Sequence, residues 1–408
     1  MKKTILIAKL KSFLILIVIA LALTFTSCPD EYDNGGGKGN LQKWTAVSNS
    51  TFGTSSIYAI AYGIADGESV GRFVAGGYRG DMAYSANGSS WTAVSNSTFG
   101  TSSINAIAYG NNRFVAGGDL GKMAYSDDGV TWTAVSNSTF SSINAIAYGI
   151  ADGEGVGRFV AGGWNGKMAY SDDNGVTWTA VADSTFSTAY DISAIAYGTA
   201  DGESVGRFVA GGDGGRMAYS TNGTSWTAVS NSTFGTSANS IYGIAYGKAD
   251  GASVGRFVAV GEYGKMAYSD DGVTWTAVSN SAFYGAHIYG IAYGIADGAS
   301  VGRFVAVGEN GYIWYSDDGE NWTEVANSPF PARIDNTIVN RITTIAYGNN
   351  KFVAGGIFGQ MAYSDDNGIT WTAASNSPFG TIPFSAIAYG NNKFIAVGIF
   401  GQMAYADW

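Results

Sequence analysis

The stretch Ser171-Asp-Asp-Asn-Gly-Val-Thr-Trp178 decides the fold, because variants of it recur along the whole chain. It reads S-x-D-x-G-x-T-W and returns unchanged in pattern at Ser364–Trp371. A version that is one residue shorter stands at 126–132, 269–275 and 316–322. Two further copies, at 85–91 and 220–226, keep the Ser, Gly and Trp but replace the Asp. Such self-similarity at a fixed period indicates a repeat architecture.

The Trp-Thr pair gives the period of the repeat. It begins at 44, 91, 132, 178, 226, 275, 322 and 371, which defines eight units. Each unit holds four short apolar runs, named A to D, which in the second unit are 104–109, 113–118, 122–125 and 132–135. Apolar runs of about 4–6 residues between Gly and Asn turn signals are typical of β-strands.

Four strands in a repeat of this length predict one blade of a β-propeller. The A run is built on small residues (Ala59, Ala61 and Gly63), which suits the crowded innermost strand. The first D run, Trp44–Val47, precedes any A run, and the last unit stops after its C run. We therefore predict an all-β, eight-bladed propeller of four-stranded antiparallel blades, whose last blade is closed by the N-terminal strand. The alternative is a shorter ring with one blade unpaired.

The recurring stretch resembles the Asp-box (BNR) repeat of sialidase-like β-propellers, over residues 44–408. The resemblance implies that the box forms the C–D turn, that its Asp accepts backbone N–H groups, and that its Trp packs between blades. It gives the box a structural and not a catalytic role.

The N-terminus predicts export. A basic segment with Lys2, Lys3, Lys9 and Lys11 precedes an apolar run, 12–25, which is short for a membrane span. With Thr26-Ser27-Cys28 it resembles a lipoprotein signal peptide (1–27) in which Cys28 is lipidated; the alternative is an uncleaved signal anchor. The Gly/Asp-rich segment 28–43 is predicted to be a tether. The expected location is the bacterial cell envelope, at the outer membrane or cell surface.

The composition argues against nucleic-acid binding and against a metal cluster of His and Cys. The net charge is −10 and there is no basic stripe, which argues against nucleic-acid binding. One Cys and one His cannot build a His/Cys metal cluster, so no metal or cofactor is expected. His287 is interpreted as a loop residue. The acidic A–B turns near Asp152, Asp201, Asp250 and Asp297 are interpreted as hairpin turns, with calcium binding left open. The N-S-T sequons at Asn49, Asn96, Asn137 and Asn231 belong to the repeat.

The candidate site follows from where the repeats differ. The framework is constant, whereas the B–C turns and D–A connections vary, and propeller geometry puts both on one face, opposite the boxes. That face carries aromatic and acidic residues, which suit sugar or protein recognition. The candidate ligand-binding residues are Tyr78, Arg79, Asp119, Trp164, Asp213, Glu262, Tyr263, Glu309, Arg333, Asp335, Arg341, Phe358 and Phe400.

The expected function is a lipid-anchored, monomeric module that binds a glycan or a protein partner through this face. One alternative is a sialidase-like glycoside hydrolase. Its residues would have to come from Arg79, Arg333, Asp335 and Arg341, because most of the arginines, six in all, repeat at one position before Phe-Val-Ala. The other alternative is a structural or assembly scaffold at the membrane.

Overall fold

The structure is a computed structural model that describes residues 43–64, 71–150, 157–199, 206–235, 239–248, 255–279, 283–295, 302–334 and 338–407. The predicted signal peptide, Cys28, nearly all of the tether, the acidic A–B turns and Asp335 lie outside these residues. No helix in the described ranges is long and apolar enough to cross a membrane.

Eight four-stranded antiparallel sheets form the blades, each in the order A-B-C-D. Blade 1 comprises β2 (Ile57–Gly63), β3 (Arg72–Gly77), β4 (Met82–Ser85) and β5 (Thr92–Ala93), and blade 2 comprises β6 (Ile104–Gly110), β7 (Arg113–Gly118), β8 (Met123–Ser126) and β9 (Thr133–Ala134). Blade 3 comprises β10 (Ile143–Ile150), β11 (Gly157–Gly163), β12 (Met168–Ser171) and β13 (Thr179–Ala180), and blade 4 comprises β14 (Ile192–Thr199), β15 (Gly206–Gly212), β16 (Met217–Ser220) and β17 (Thr227–Ala228).

Blades 5 to 7 repeat the pattern, and a small hairpin is inserted between blades 6 and 7. Blade 5 comprises β18 (Ile241–Lys248), β19 (Gly255–Gly261), β20 (Met266–Ser269) and β21 (Thr276–Ala277), and blade 6 comprises β22 (Ile288–Ile295), β23 (Gly302–Gly308), β24 (Ile313–Ser316) and β25 (Thr323–Glu324). The hairpin comprises β26 (Arg333–Ile334) and β27 (Ile338–Val339). Blade 7 comprises β28 (Ile342–Gly348), β29 (Lys351–Gly356), β30 (Met361–Ser364) and β31 (Thr372–Ala373).

Blade 8 joins the two ends of the chain, as predicted. It contains β32 (Phe384–Gly390), β33 (Lys393–Gly398), β34 (Met403–Asp407) and, as its outer strand, β1 (Thr45–Ala46). Thr45 pairs with Tyr405 and Ala46 with Ala404 in antiparallel register. The Val47 N–H also donates to the Met403 carbonyl at 2.9 Å, although the strand itself is shorter than the predicted Trp44–Val47.

The core lies between blades. Trp132 of blade 2, for example, is buried with Val74 and Met82 of blade 1. At the inner strands a Tyr of each blade lies against a Gly of the previous one, so tightly that a Cβ on Gly63 would be 2.1 Å from Tyr109 Cδ2. Gly390 of blade 8 faces Tyr62 of blade 1 in the same way, which completes the ring.

The recurring box forms the C–D turn. The Asp128 carboxylate accepts the backbone N–H groups of Val130 and Thr131 at 2.8 and 2.7 Å, and the Ser126 hydroxyl at 2.9 Å. Burial would raise the pKa of Asp128, but these hydrogen bonds outweigh it and lower the pKa below its ordinary value. Trp132 Nε1 donates to the Gly129 carbonyl at 3.3 Å. The box is therefore a turn whose polar groups are satisfied locally.

The arginine that recurs before Phe-Val-Ala belongs to this same end of the propeller. Arg113 forms an ion pair with Asp127 in its own box at 2.5 Å and donates from Nη1 to the Asn174 carbonyl in the next blade at 3.1 Å. Its guanidinium also lies 4.8 Å from the centroid of the Tyr125 ring. The repeated arginines thus link boxes of adjacent blades.

Candidate functional site

The B–C turns and the D–A connections lie together at the end opposite the boxes, as the topology requires. The Tyr78 N–H in a B–C turn donates to the Ser56 carbonyl, just before strand A, at 2.8 Å. Ser97 in the next D–A connection donates its hydroxyl to the Gly80 carbonyl at 2.6 Å. We call this end the variable face.

The second residue of every B–C turn has a left-handed backbone. These residues are Arg79, Leu120, Asn165, Gly214, Tyr263, Asn310, Phe358 and Phe400, with φ between 55° and 65°. Asn and Gly tolerate this conformation, whereas other L-residues bring Cβ too close to the following carbonyl oxygen, at a cost of about 1–2 kcal/mol. Five of the eight tips nevertheless carry bulky side chains, and three of these are more than half exposed: Leu120 at 79%, Tyr263 at 55% and Phe400 at 57%.

The first residue of the turn is acidic in four blades, and its carboxylate turns towards the start of strand A. Asp119 accepts Asn105 Nδ2 at 2.9 Å and the Ser142 hydroxyl at 3.1 Å. Asp213 accepts the Ser240 hydroxyl at 3.1 Å. Glu262 and Glu309 behave in the same way in blades 5 and 6.

Blades 5 and 6 concentrate these groups into one cluster. Glu262 accepts the Tyr242 hydroxyl at 2.7 Å and the Ser240 N–H at 2.9 Å. Glu309 accepts the Tyr289 hydroxyl at 2.8 Å and pairs with Arg341 Nε at 3.2 Å. We define the aromatic–acid cluster as Tyr242, Glu262, Tyr263, His287, Tyr289, Glu309 and Arg341.

The aromatic rings of the cluster contact one another. Tyr242 and Tyr289 are stacked with centroids 5.8 Å apart. His287 lies 5.1 Å from Tyr263 and 6.1 Å from Tyr289, and its Nδ1 accepts the Tyr263 N–H at 3.2 Å. Burial, together with the neighbouring Glu262 carboxylate, raises the pKa of Tyr242 well above its ordinary value, and burial next to Glu309 does the same for Tyr289. Both phenols therefore stay protonated and act as donors.

Sequence reasoning missed three members of the cluster: Tyr242, His287 and Tyr289. His287, interpreted as an ordinary loop residue, lies among three tyrosines. The signal was a change in strand A, where Tyr-Gly at 242–243 and 289–290 replaces the Asn-Ala or Ser-Ala of blades 2 to 4. The partner position on strand B changes at the same time, because Gly243 pairs with Val260 and Gly290 with Val307, whereas Ala106 pairs with Gly117.

The structure brings only part of the predicted site together. Glu262, Tyr263, Glu309 and Arg341 belong to the cluster. Asp213 adjoins the cluster, because Ser240 donates its hydroxyl to Asp213 and its N–H to Glu262. The other predicted residues of the variable face lie on separate blades and are Tyr78, Asp119, Trp164, Phe358 and Phe400.

The arginines required by the hydrolase alternative are divided in the same way. Arg79 lines a polar groove of about 280 Å³ beside blade 1, whereas Arg333 and Arg341 belong to the connection between blades 6 and 7. Within the described ranges, no group of three or more His, Cys, Asp or Glu side chains could hold a metal ion.

These features define a β-propeller domain suited to binding or interaction. The model of the family "DUF6242 beta propeller domain" matches residues 170–397, which is more than half of the chain. The chain therefore belongs to the DUF6242 β-propeller family. No curated protein matches the chain. The Asp-box relationship and the lipoprotein signal remain predictions.

Solved structures share the fold at low sequence identity. The computationally designed Ika8 protein aligns with a TM-score of 0.61 and 14% identity, over 87% of this chain and 97% of its own. YCF48 bound to D1 peptide aligns with a TM-score of 0.51 and 15% identity, over 96% and 98%. Sqt1 of Saccharomyces cerevisiae aligns with a TM-score of 0.60 and 13% identity, over 87% and 96%. At these identities the similarity concerns the fold alone.

Proposed function

We propose that the protein is an exported, lipid-anchored interaction module that binds a protein partner through its variable face. The observation that carries the proposal is the set of bulky, exposed side chains on left-handed turn tips, led by Leu120, Tyr263 and Phe400. Each one costs folding free energy that Asn or Gly would avoid, and blades 3, 4 and 6 show that both residues fit this turn. Side chains that are strained and exposed contribute little to folding, which favours a role in binding.

Their distribution favours a protein over a sugar. The exposed apolar residues of the B–C turns lie on five blades and are Tyr78, Leu120, Trp164, Tyr263 and Phe400, whereas Tyr289 within the aromatic–acid cluster is only 4% exposed. A glycan site needs rings gathered around one small ligand, whereas a protein interface of ordinary size spreads a few large anchor residues over about 800 Å² on each partner. The similar propeller YCF48, whose structure holds D1 peptide, is a precedent for peptide binding on this fold.

The position of β1 supports one orientation for the proposed anchor. Trp44 occupies the position of the box tryptophans, and β1 runs from the box end of blade 8 towards the variable face. A chain anchored at Cys28 enters the propeller at the box end. We infer that the anchor keeps the box end towards the membrane and leaves the variable face free for a partner.

The test uses residues 40–408, whose blades close on themselves without the anchor. The protein is used to capture partners from the envelope of the organism that makes it, and the affinity of each purified candidate is then measured. We expect Tyr263→Ala combined with Phe400→Ala to weaken binding at least about tenfold, because a central aromatic anchor contributes about 2 kcal/mol or more.

The matched control is Ile369→Ala, which removes a similarly exposed apolar side chain from a box. It should leave affinity within about twofold. Equal loss in both variants, or no loss in the double variant, would contradict the assignment of the face. Selective binding on a glycan array that disappears in the double variant would instead make the ligand a sugar.

A further inference from the structure

The turn tip at Tyr263 contacts a side chain that can change its charge. The Tyr263 N–H donates to His287 Nδ1 at 3.2 Å, and the two rings lie 5.1 Å apart. His287 is half-buried and is the only histidine in the chain. An imidazole nitrogen accepts a hydrogen bond only when it carries no proton, so this contact requires the neutral ring.

A comparison with blade 3 shows what is particular to this contact. Among the described residues, two tips donate their N–H to the side chain just before strand A of the following blade: Tyr263 to His287, and Asn165 to Asp191 at 2.8 Å. A carboxyl group keeps an acceptor oxygen whether or not it is protonated, whereas Nδ1 becomes a donor. Of the two contacts, only that of Tyr263 is lost on protonation.

The surroundings of His287 leave the imidazole as the group that changes charge near neutral pH. Besides Tyr263, the titratable and charged groups around it are Tyr242, Glu262, Tyr289, Glu309 and Arg341. The Tyr242 and Tyr289 phenols stay protonated, because burial and the adjacent carboxylates raise their pKa. Histidine is the side chain that ordinarily titrates between about pH 5 and 8. A protonated ring has the Glu309 carboxylate beside it, since that group accepts the His287 backbone N–H at 3.2 Å.

The backbone of the turn does not depend on His287. The Lys265 N–H donates to the Glu262 carbonyl at 3.1 Å and closes the turn. The tip at Phe400 has the same left-handed backbone, with φ at 55°, although no histidine lies beside it. Protonation of His287 therefore moves side chains, the imidazole and the Tyr263 ring, and leaves the blade intact.

We propose that His287 is a pH switch on the variable face, whose protonation breaks the contact with the Tyr263 N–H, turns the imidazole away and releases the Tyr263 ring. The inference rests on the proposed function and gives that same face a regulation. Two donors, Nδ1–H and the Tyr263 N–H, cannot share the present geometry. Tyr263 is more than half exposed, so few other contacts fix its ring. The neutral imidazole preorganises this anchor residue for a partner, and partner binding weakens below about pH 6.

The first experiment needs no partner. Residues 40–408 are labelled with 15N in tyrosine, phenylalanine and histidine and titrated by NMR from about pH 8 to 5. We expect the Tyr263 amide signal and the His287 ring signals to move together with one midpoint, while the Phe400 amide stays in place. A Tyr263 amide that does not follow the titration of His287 would overturn the switch.

Two substitutions at His287 test the origin of the pH response. His287→Asn keeps an acceptor oxygen at every pH, and Asp191 shows that a side chain of this length reaches the tip N–H. Its Tyr263 amide should therefore stop responding to pH. His287→Phe keeps a ring but cannot accept, and should hold the Tyr263 amide near its low-pH position throughout. A pH response that persists in both variants would assign the effect to another group and contradict the proposal.

Partner binding separates this inference from the broader one. We expect the captured partner to bind about fivefold more weakly at about pH 5.5 than at about pH 7.5, and His287→Asn to reduce this difference below twofold. If Tyr263→Ala with Phe400→Ala loses the partner while His287→Asn leaves its pH dependence unchanged, the binding face stands and the switch is wrong. If the double variant keeps full affinity, the binding face fails, and the NMR titration still decides whether Tyr263 follows His287.

Discussion

The two ends of the propeller are built from the same strands, but the turns at one end stabilise the fold and those at the other end vary from blade to blade. At the box end, a carboxylate such as that of Asp128 accepts backbone N–H groups of its own turn, and the box tryptophans are buried, at 3–8% exposure. At the variable face, the turns keep one backbone shape, but bulky residues occupy tips that favour Asn or Gly. Repetition therefore marks what the fold needs, and departure from repetition marks what it does not need.

The same residue type serves both ends. Blade 3 contains Trp178 in its box, 3% exposed, and Trp164 in its B–C turn, 38% exposed. Blade 2 contains Asp128, which holds a box turn, and Asp119, which reaches the start of strand A. Side-chain chemistry alone does not assign a role here; position in the blade does.

The largest effect should separate the two tryptophans of blade 3. Trp178→Ala removes a buried indole and leaves a cavity between blades, so we expect a loss of about 3–5 kcal/mol in the free energy of unfolding. Trp164→Ala should change it by less than about 1 kcal/mol, because the ring is already partly in water. Urea denaturation followed by circular dichroism gives both values. Equal losses in the two variants would remove the stability contrast between the two ends.

The second-largest effect is a loss of folding stability at low pH, which comes from the box carboxylates. The pKa of Asp128 is lowered in the folded protein, and the same holds for Asp173, Asp271, Asp318 and Asp366. A lowered folded pKa stabilises the fold above the unfolded value, about 3.9, and this stabilisation is lost as pH falls through the folded pKa. The protein should therefore lose stability steeply below about pH 4.

Replacing Asp128 tests this origin of acid sensitivity. Asp128→Ala should cost about 1–2 kcal/mol at neutral pH, because two backbone N–H groups lose their acceptor. Asp128→Asn should cost less and should also flatten the stability profile between pH 5 and 2. Blade 1 provides the natural precedent, since Asn87 accepts the N–H groups of Ser89 and Ser90 at 3.0 and 2.9 Å. A pH profile of Asp128→Asn identical to that of the parent would show that this carboxylate does not contribute.

The fold was predictable from the sequence because the residues that define it recur in every repeat. The Trp-Thr spacing gave the blade count, and the unpaired D run at Trp44 indicated the closing strand that pairs with β34. The position of the variable face followed from strand order alone. Each of these features depends on backbone topology, which local turn signals and strand lengths determine.

The candidate site was only partly predictable, because it depends on contacts between blades. Glu262 and Tyr263 were identified from turn variation, but Tyr242 and Tyr289 lie within strands that look like framework. Their contact with His287 arises from the bulge at the start of strand A, which turns each bulged residue towards the variable face. The Tyr-Gly replacement with its Val partner was visible in the sequence, but only the structure gives the reason for it.

The smallest effect tests the strain that underlies the proposed face. Leu120→Asn should raise the free energy of unfolding by about 1 kcal/mol, because Asn relaxes the left-handed backbone and the lost side chain is almost fully exposed. The reciprocal change in the next blade, Asn165→Leu, should lower it by a similar amount, with some additional loss of the hydrogen bond from Asn165 Nδ2 to Ser141 Oγ. If the free energy of unfolding rises in Leu120→Asn and falls in Asn165→Leu, the bulky tip residues do not stabilise the fold and must be present for another reason. A destabilised Leu120→Asn would instead place Leu120 among the residues that hold the blade together, and the argument for a binding face would lose its most exposed member.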